Sequence, residues 1–361
     1  MNEKIISTNC TPDYIKKHCF EDLAYPEKSG LNDYKGYRLP GLIDLHIHGG
    51  FGWDFSWGNT EKIEEMLDNF LPTGLTGILA VIISSPEEQM LKAIADICSV
   101  AQKRLKPPFI HGIYLEGPFI SEKRRGSHQK EYLINPDYEK LEKWFKLSGS
   151  RIKIVTVAPE LPGSGILIQT AVELGVKPAI GHTDADHFTT TEAMKIGADH
   201  ITHLYNAMRP FTHRDPTAVS AVLNYDRLTA EVIADQIHIC PEILSLTFKI
   251  LGHEKIVLIS DGVCPMGLAN GKYPAYGKSL TMENEKCTFT GGHLFGGGKH
   301  LLKCLSDLRK IPGFNQRELA YSAYFTPARL LGMTMFDSDV ILDNNFNWIA
   351  TRAGETWYHR G

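Results

Sequence analysis

Eight short apolar runs rich in β-branched residues follow one another at 39–48, 76–83, 110–118, 152–160, 177–183, 200–208, 229–235 and 256–262. Longer polar or amphipathic stretches separate them, which is the pattern of repeated βα units around a parallel sheet. The stretch 86–104, PEEQMLKAIADICSVAQKR, is one such connection, and Pro86 with Glu87 suits a helix start. Eight βα units in succession predict a TIM-type (β/α)8 barrel over residues 39–332. Residues 1–38 and 333–361 do not keep this rhythm. The tail FDSDVILDNNFNWIATRAGETWYHR reads as two or three strands with a turn at Asn344 and Asn345. The two chain ends are therefore expected to pair into a small β accessory domain.

At 361 residues the chain exceeds the ~250 typical of such a barrel, leaving room for one small additional piece. A net charge of -4 provides no general attraction for nucleic acid or an anionic membrane surface. An anionic ligand would need local positive groups. The seven cysteines (Cys10, Cys19, Cys98, Cys240, Cys264, Cys287 and Cys304) are odd in number, scattered and without a Cys-x-x-Cys pair. That pattern argues against a disulfide framework or thiolate zinc knot and for a reducing, cytoplasmic setting. The first residues carry no apolar core of signal-peptide length, and no run reaches the ~18 apolar residues of a membrane span.

Barrel enzymes carry their chemistry at the C-terminal ends of the strands. The first run ends in LIDLHIHGG, where His46 and His48, two apart on a strand, share one face. The third run ends at Glu116 in LEGP, the fifth at His182 in GHTDADH, the sixth at His203 in THLYNAM and the eighth at Asp261 in SDG. Singly, each has an ordinary explanation: a hydrogen-bonded histidine pair, a buried ion pair at Glu116, a helix cap at Asp261. Together, at successive strand ends, imidazoles and carboxylates form the ligand set of a borderline divalent ion, and the carboxylates could bridge two ions ~3.5–4 Å apart. This points to a metallohydrolase. His18, His187, His253, His300 and His359 fall in helices or chain ends and read as solvated surface.

The blocks LPGLIDLHIHGG, YLEGPFISEKRRGSH, GHTDADH, THLYNAMRPFTHRDP and VIADQIH followed by ISDG resemble the signatures of the N-acetylglucosamine-6-phosphate deacetylase family of the amidohydrolase superfamily. The resemblance runs from about Leu39 to Leu331. It implies hydrolysis of the N-acetyl group of N-acetylglucosamine 6-phosphate to glucosamine 6-phosphate and acetate. Glu116, His182 and His203 would bind the principal metal; His46 and His48 would complete a second site, with Glu116 bridging and Asp261 nearby. Zinc or iron is expected, with cobalt or manganese also suited to the donor set. Asp261 would act first as general base and then as the acid that protonates the departing amine.

The same resemblance implies that His128, with Ser127 beside it, meets the acetamide carbonyl. The main chain at Asn206 and Ala207, with Arg214 and His238, would hold sugar and phosphate. Arg214 is implied to reach in from a neighbouring subunit, hence a homodimer; read alone it is a solvated loop arginine. Lys123, Arg124 and Arg125 could favour anion approach, but a charge run is usually a solvated face. Leu294, Phe295, Gly296 and Gly297 stand in place of the family's Leu-Ala-Gly-Ser loop, so Leu294, Phe295 and Gly296 are expected at the sugar, where the bulkier Phe295 could alter the fit. The accessory domain is expected to be shortened at both ends. Cys264 reads as packing. Alternatives from the same residues are a deacetylase of N-acetylgalactosamine 6-phosphate or another N-acyl amino sugar phosphate, and a non-catalytic sugar-phosphate-binding regulator.

Overall fold

The computed structural model describes residues 36–289, 291–333 and 338–359. Strand β1 (Gly36–Pro40) runs straight into β2 (Leu42–Ile47), and a two-residue ribbon, β3 (Gly49–Gly50) with β4 (Trp53–Asp54), follows. After intervening helices come β5 (Leu75–Ile83), β6 (Phe109–Glu116), β7 (Ile152–Val157), β8 (Lys177–Ile180), β9 (His200–Ile201), β10 (Thr229–Ile233) and β11 (Ile256–Ile259). β2 and β5 to β11 pair in parallel in chain order. A parallel bridge between Ile47 and Gly262 joins the last strand to the first, and His48 N–H donates to the Gly262 carbonyl at 2.8 Å. The eight runs of the sequence are the eight strands of a (β/α)8 barrel.

Period-2 alternation sorts the strand residues. Ile43, Leu45, Leu79, Val81, Tyr114, Ile154, Ile233, Val257 and Ile259 point inward and pack together, and Tyr324, Phe325 and Ala328 join them. Ile78, Ala80 and Ile82 point outward against helices such as Glu87–Lys103, whose buried Met90, Ala93, Ile94, Ile97 and Val100 form one helical stripe. Truncating a filled position such as Leu79 to Ala would cost ~2–5 kcal/mol, because the rigid barrel wall cannot collapse onto the void.

Two antiparallel sheets flank the barrel. One consists of β12 (Gly271–Ala275), β13 (Lys278–Glu283), β14 (Lys286–Phe289) and β15 (Leu294–Gly297), inserted between β11 and the helix Leu301–Leu308. The sequence reading does not separate this sheet from the barrel, since its strands are short and half-exposed and carry no continuous apolar run. The other joins β1 to β16 (Ser338–Asp343), β17 (Trp348–Ala353) and β18 (Thr356–His359). Arg38 makes a bidentate pair with Asp339, both bonds at 2.7 Å, across the β1–β16 seam. The pairing of β1 continues to Pro40, opposite Asp339, so the sheet meets the barrel at Gly41 rather than after residue 38. Only a glycine fits there: a Cβ would lie 2.1 Å from the Thr76 hydroxyl. Most of the expected N-terminal segment, residues 1–35 with His18, Cys10 and Cys19, lies outside the described residues.

Two of the histidines read as solvated are engaged. His300 caps the helix Leu301–Leu308 by accepting from the Lys303 N–H, and His187 bonds the Ser220 hydroxyl at 2.9 Å. No described helix is long and apolar enough to cross a membrane.

Candidate metal centre

The strand ends bring six side chains to one point. His46 lies within β2 and His48 just past it; Glu116 ends β6; His182, His203 and Asp261 each stand two residues beyond β8, β9 and β11. The last three hold left-handed backbone, with φ of 45°, 26° and 52°. Non-glycine residues in that region store strain and gather at functional sites.

Glu116 is the centre. Its Oε1 lies 3.0 Å from His182 Nε2, 2.8 Å from His203 Nε2 and 3.4 Å from His46 Nε2. Its Oε2 lies 3.3 Å from His128 Nε2 and 3.4 Å from His48 Nε2. Asp261 Oδ1 faces the other side, 3.2 Å from His48 Nε2 and 3.6 Å from His46 Nε2. Every one of these groups is buried.

Hydrogen bonds from behind set the tautomers. His46 Nδ1 faces the Glu231 carboxylate at 2.9 Å, and His182 Nδ1 faces the Arg124 carbonyl at 2.9 Å. Both partners only accept, so each Nδ1 carries the proton and each Nε2 can present its lone pair to the centre. Burial pushes His182 down to about 4, which keeps it neutral. Burial opposes charge on His46 as well, but Glu231 and Glu116 overcome it and hold that imidazole well above its usual range, so a cation taken up there displaces a proton from Nε2. Burial likewise opposes ionisation of Glu116, yet His46 and the surrounding imidazoles of His128, His182 and His203 hold its carboxyl well below the usual range.

This donor set fits a divalent cation. His46 Nε2 is a buried nitrogen with no hydrogen-bond partner, aimed at two carboxylates. Three overlapping groups converge closely enough to share an ion: His46 with Glu116 and His203, His46 with His48 and Asp261, and Glu116 with His128 and His182. Unpartnered buried nitrogen beside ionised oxygen is costly unless a cation lies between them.

A cavity of about 220 Å³ opens over the cluster. His48, Glu116, His182, His203 and Asp261 form its floor, and Ser127, His128, Asn206, Ala207, His238, Leu294, Phe295 and Gly296 line it. His46 lies beneath, fully buried. His128 is fixed by the Ser84 hydroxyl at 2.9 Å, and His238 by Asp235 at 2.7 Å. The insertion sheet supplies Phe295, which packs on Phe289 with ring centroids 4.4 Å apart. Tyr276, in the turn between β12 and β13, donates to Asp54 at the end of β4.

Arg214 is not brought to this chain's own cavity; it is exposed in the loop between Arg209 and Thr217. Lys123 and Arg124 are tied to Asp184 rather than aimed at the cavity. Cys264 packs with Val263, Leu280, Met282 and Cys287, and burial pushes its thiol up. Sequence reading misses Glu231, Ser84 and Asp235. Glu231 has a signal, being a charge with apolar neighbours on both sides in the run TAEVIAD.

No family model matches the chain. It is 34% identical over 298 residues to N-acetylglucosamine-6-phosphate deacetylase of Bacillus subtilis (strain 168), covering 82% of this chain and 75% of that protein. It is 32% identical over 334 residues to the enzyme of the same name from Bos taurus, covering 86% and 81%. In structure it matches an N-acetyl-D-glucosamine-6-phosphate deacetylase mutant from Mycobacterium smegmatis, solved in complex with N-acetyl-D-glucosamine-6-phosphate. That match has a TM-score of 0.83 at 27% identity, over 89% of this chain and 86% of that one. With the barrel, the strand-end cluster and this shared sequence all in agreement, the chain belongs to the N-acetylglucosamine-6-phosphate deacetylase family.

Proposed function

We propose that the protein hydrolyses the acetamide of N-acetylglucosamine 6-phosphate, releasing acetate and glucosamine 6-phosphate. One observation carries this reading: His182 Nε2 and His203 Nε2 stand 3.1 Å apart and both meet Glu116 Oε1 on the floor of a sugar-sized cavity. Glu116, His182 and His203 would hold one divalent ion, and His46 and His48, with Glu116 and Asp261, a second; zinc or iron suits these donors, as would cobalt or manganese. When bound, such an ion supplies Lewis acidity, polarising the acetamide carbonyl and acidifying water.

The chain's own groups carry the rest. Asp261 accepts a proton from the attacking water. It then returns that proton to the nitrogen as the C–N bond breaks, since an amine leaves poorly as an anion. His128, held by Ser84, donates toward the carbonyl oxygen. His238, Ser127 and the main chain at Asn206 and Ala207 hold the sugar, and Leu294, Phe295 and Gly296 close over it.

The phosphate needs a cation, and among the described residues no Lys or Arg lines the cavity. Arg214 of a second copy meets that need, which makes the enzyme a homodimer. Phe211, 52% exposed in the Arg214 loop, and Phe188, 71% exposed on the adjoining helix His187–Lys195, supply apolar surface for the contact. The five described cysteines are unpaired, in keeping with a reducing cytoplasmic setting. The test is acetate release from N-acetylglucosamine 6-phosphate by metal-loaded protein, abolished by chelation and restored by adding metal. A loaded protein that binds the sugar phosphate but releases no acetate would leave only a binding role.

A further inference from the structure

Behind the cluster, away from the cavity, lies a buried chain of polar groups that the reaction does not itself use. Glu231 on β10 is wholly buried. Its Oε2 accepts from His46 Nδ1 at 2.9 Å and from the His203 main-chain N–H at 3.1 Å. Its Oε1 faces His200 Nε2 at 3.0 Å, and His200 Nδ1 meets the Thr229 hydroxyl at 2.7 Å. One carboxylate therefore fixes the ring of one candidate ligand and the backbone of another. His203 needs that anchor, because its φ of 26° is a strained conformation for a residue with a side chain.

We infer that Glu231 is a positioning residue: its carboxylate sets the tautomer and orientation of His46 and thereby the affinity of the ion on the His46–His48 side. This rests on the reading of His46 as a metal ligand. A carboxylate cannot donate, so His46 must place its proton on Nδ1 and turn Nε2 inward. The charge of Glu231 also makes the imidazole a stronger donor to metal, as outer-shell carboxylates do. His200 and Thr229 hold the carboxylate in turn, so neither oxygen can rotate away. Glu231 does not line the cavity, so its effect should reach the metal rather than the sugar.

The test measures metal affinity by chelator competition on the full-length protein, in Glu231→Gln, Glu231→Met, His46→Gln and the Glu231→Gln/His46→Gln double variant. Glu231→Gln should weaken the more labile ion about 10-fold and Glu231→Met toward 100-fold, the range for lost outer-shell partners. In Glu231→Gln, kcat should fall while KM for the sugar phosphate stays nearly unchanged. The effect of Glu231→Gln should vanish in the His46→Gln background, where the group it acts through is gone. An equal penalty in both backgrounds, or unchanged affinity in Glu231→Gln, would overturn the positioning role. If His46→Gln alone leaves affinity unchanged, His46 is not a ligand and the reading beneath this one fails instead. Should Glu231→Met not fold, Glu231→Gln, which keeps size and one acceptor, still decides the question.

Discussion

His182 Nε2 and His203 Nε2 lie 3.1 Å apart, and each lies within 3.0 Å of the same oxygen of Glu116. With the His182 proton held on Nδ1 by the Arg124 carbonyl, its Nε2 presents a lone pair to this point, where one cation would be shared with His203 and Glu116. Adding a chelator should therefore destabilise the folded protein as well as silence it. At free metal ~100-fold above its dissociation constant, the bound ion stabilises by about 2.7 kcal/mol, so thermal unfolding should move down by several degrees on chelation. Differential scanning calorimetry with and without chelator measures it.

Metal content should exceed one ion per chain in protein made in metal-supplemented medium. A His46→Gln/His48→Asn double variant should fall to one, because it removes two imidazoles from the Asp261 side and leaves Glu116, His182 and His203 intact. Elemental analysis of both proteins checks this, and equal content in the two would remove the second site.

Asp261→Asn should lower kcat by at least the ~10²–10⁴ typical of lost general acid–base catalysis, with a far smaller change in KM. The carboxamide keeps the size of the group on the cavity wall and cannot take up the proton. Steady-state kinetics at saturating metal are the measurement, and near-normal turnover would assign the proton to another residue.

The barrel was legible because parallel strands buried on both faces write themselves as continuous apolar runs, and the convergence of six strand-end residues was legible because imidazoles and carboxylates recur at the ends of successive runs. The sheet β12–β15 was not: strands such as GKYPA and KCTF are too short and too exposed to show a period. Ser84 escaped notice because nothing distinguishes a hydroxyl holding a histidine from any other serine after a strand. Glu231 was visible as a charge inside an apolar run, but its partner His46 is 185 residues away, and only folding reveals that the two pair.

Arg214→Ala should raise KM strongly for the phosphorylated sugar and hardly at all for the unphosphorylated one, since a guanidinium fork grips phosphate bidentately. If Arg214 acts across the dimer, co-expressing Arg214→Ala and Asp261→Asn chains should restore activity, because one active site then combines an intact Asp261 with an intact partner Arg214. Confirmed heterodimers without recovery would place the arginine elsewhere.

Stability should fall in mild acid partly through His300. Burial, with Lys303 adding to it, pushes this imidazole from its ordinary 6.5 to about 4. Its neutral form is thus favoured by the fold; the unfolded chain takes up a proton below 6.5 before the folded one does. The contribution is complete above pH 6.5 and is lost as pH falls from there toward 4, by on the order of 3 kcal/mol. His300→Asn keeps a helix-capping side chain and removes the titration. Urea unfolding of the two proteins between about pH 7 and 4 should show a flatter slope for the variant.

The most direct measurement is acetate release by one preparation of known metal content across a panel: N-acetylglucosamine 6-phosphate, its galactosamine epimer and the two unphosphorylated sugars. The expected result is fastest turnover of N-acetylglucosamine 6-phosphate, a large rise in KM without the phosphate, and no release after chelation until metal is returned. Release that is indifferent to chelation, or equal on phosphorylated and unphosphorylated sugars, would contradict a metal-dependent sugar-phosphate deacetylase.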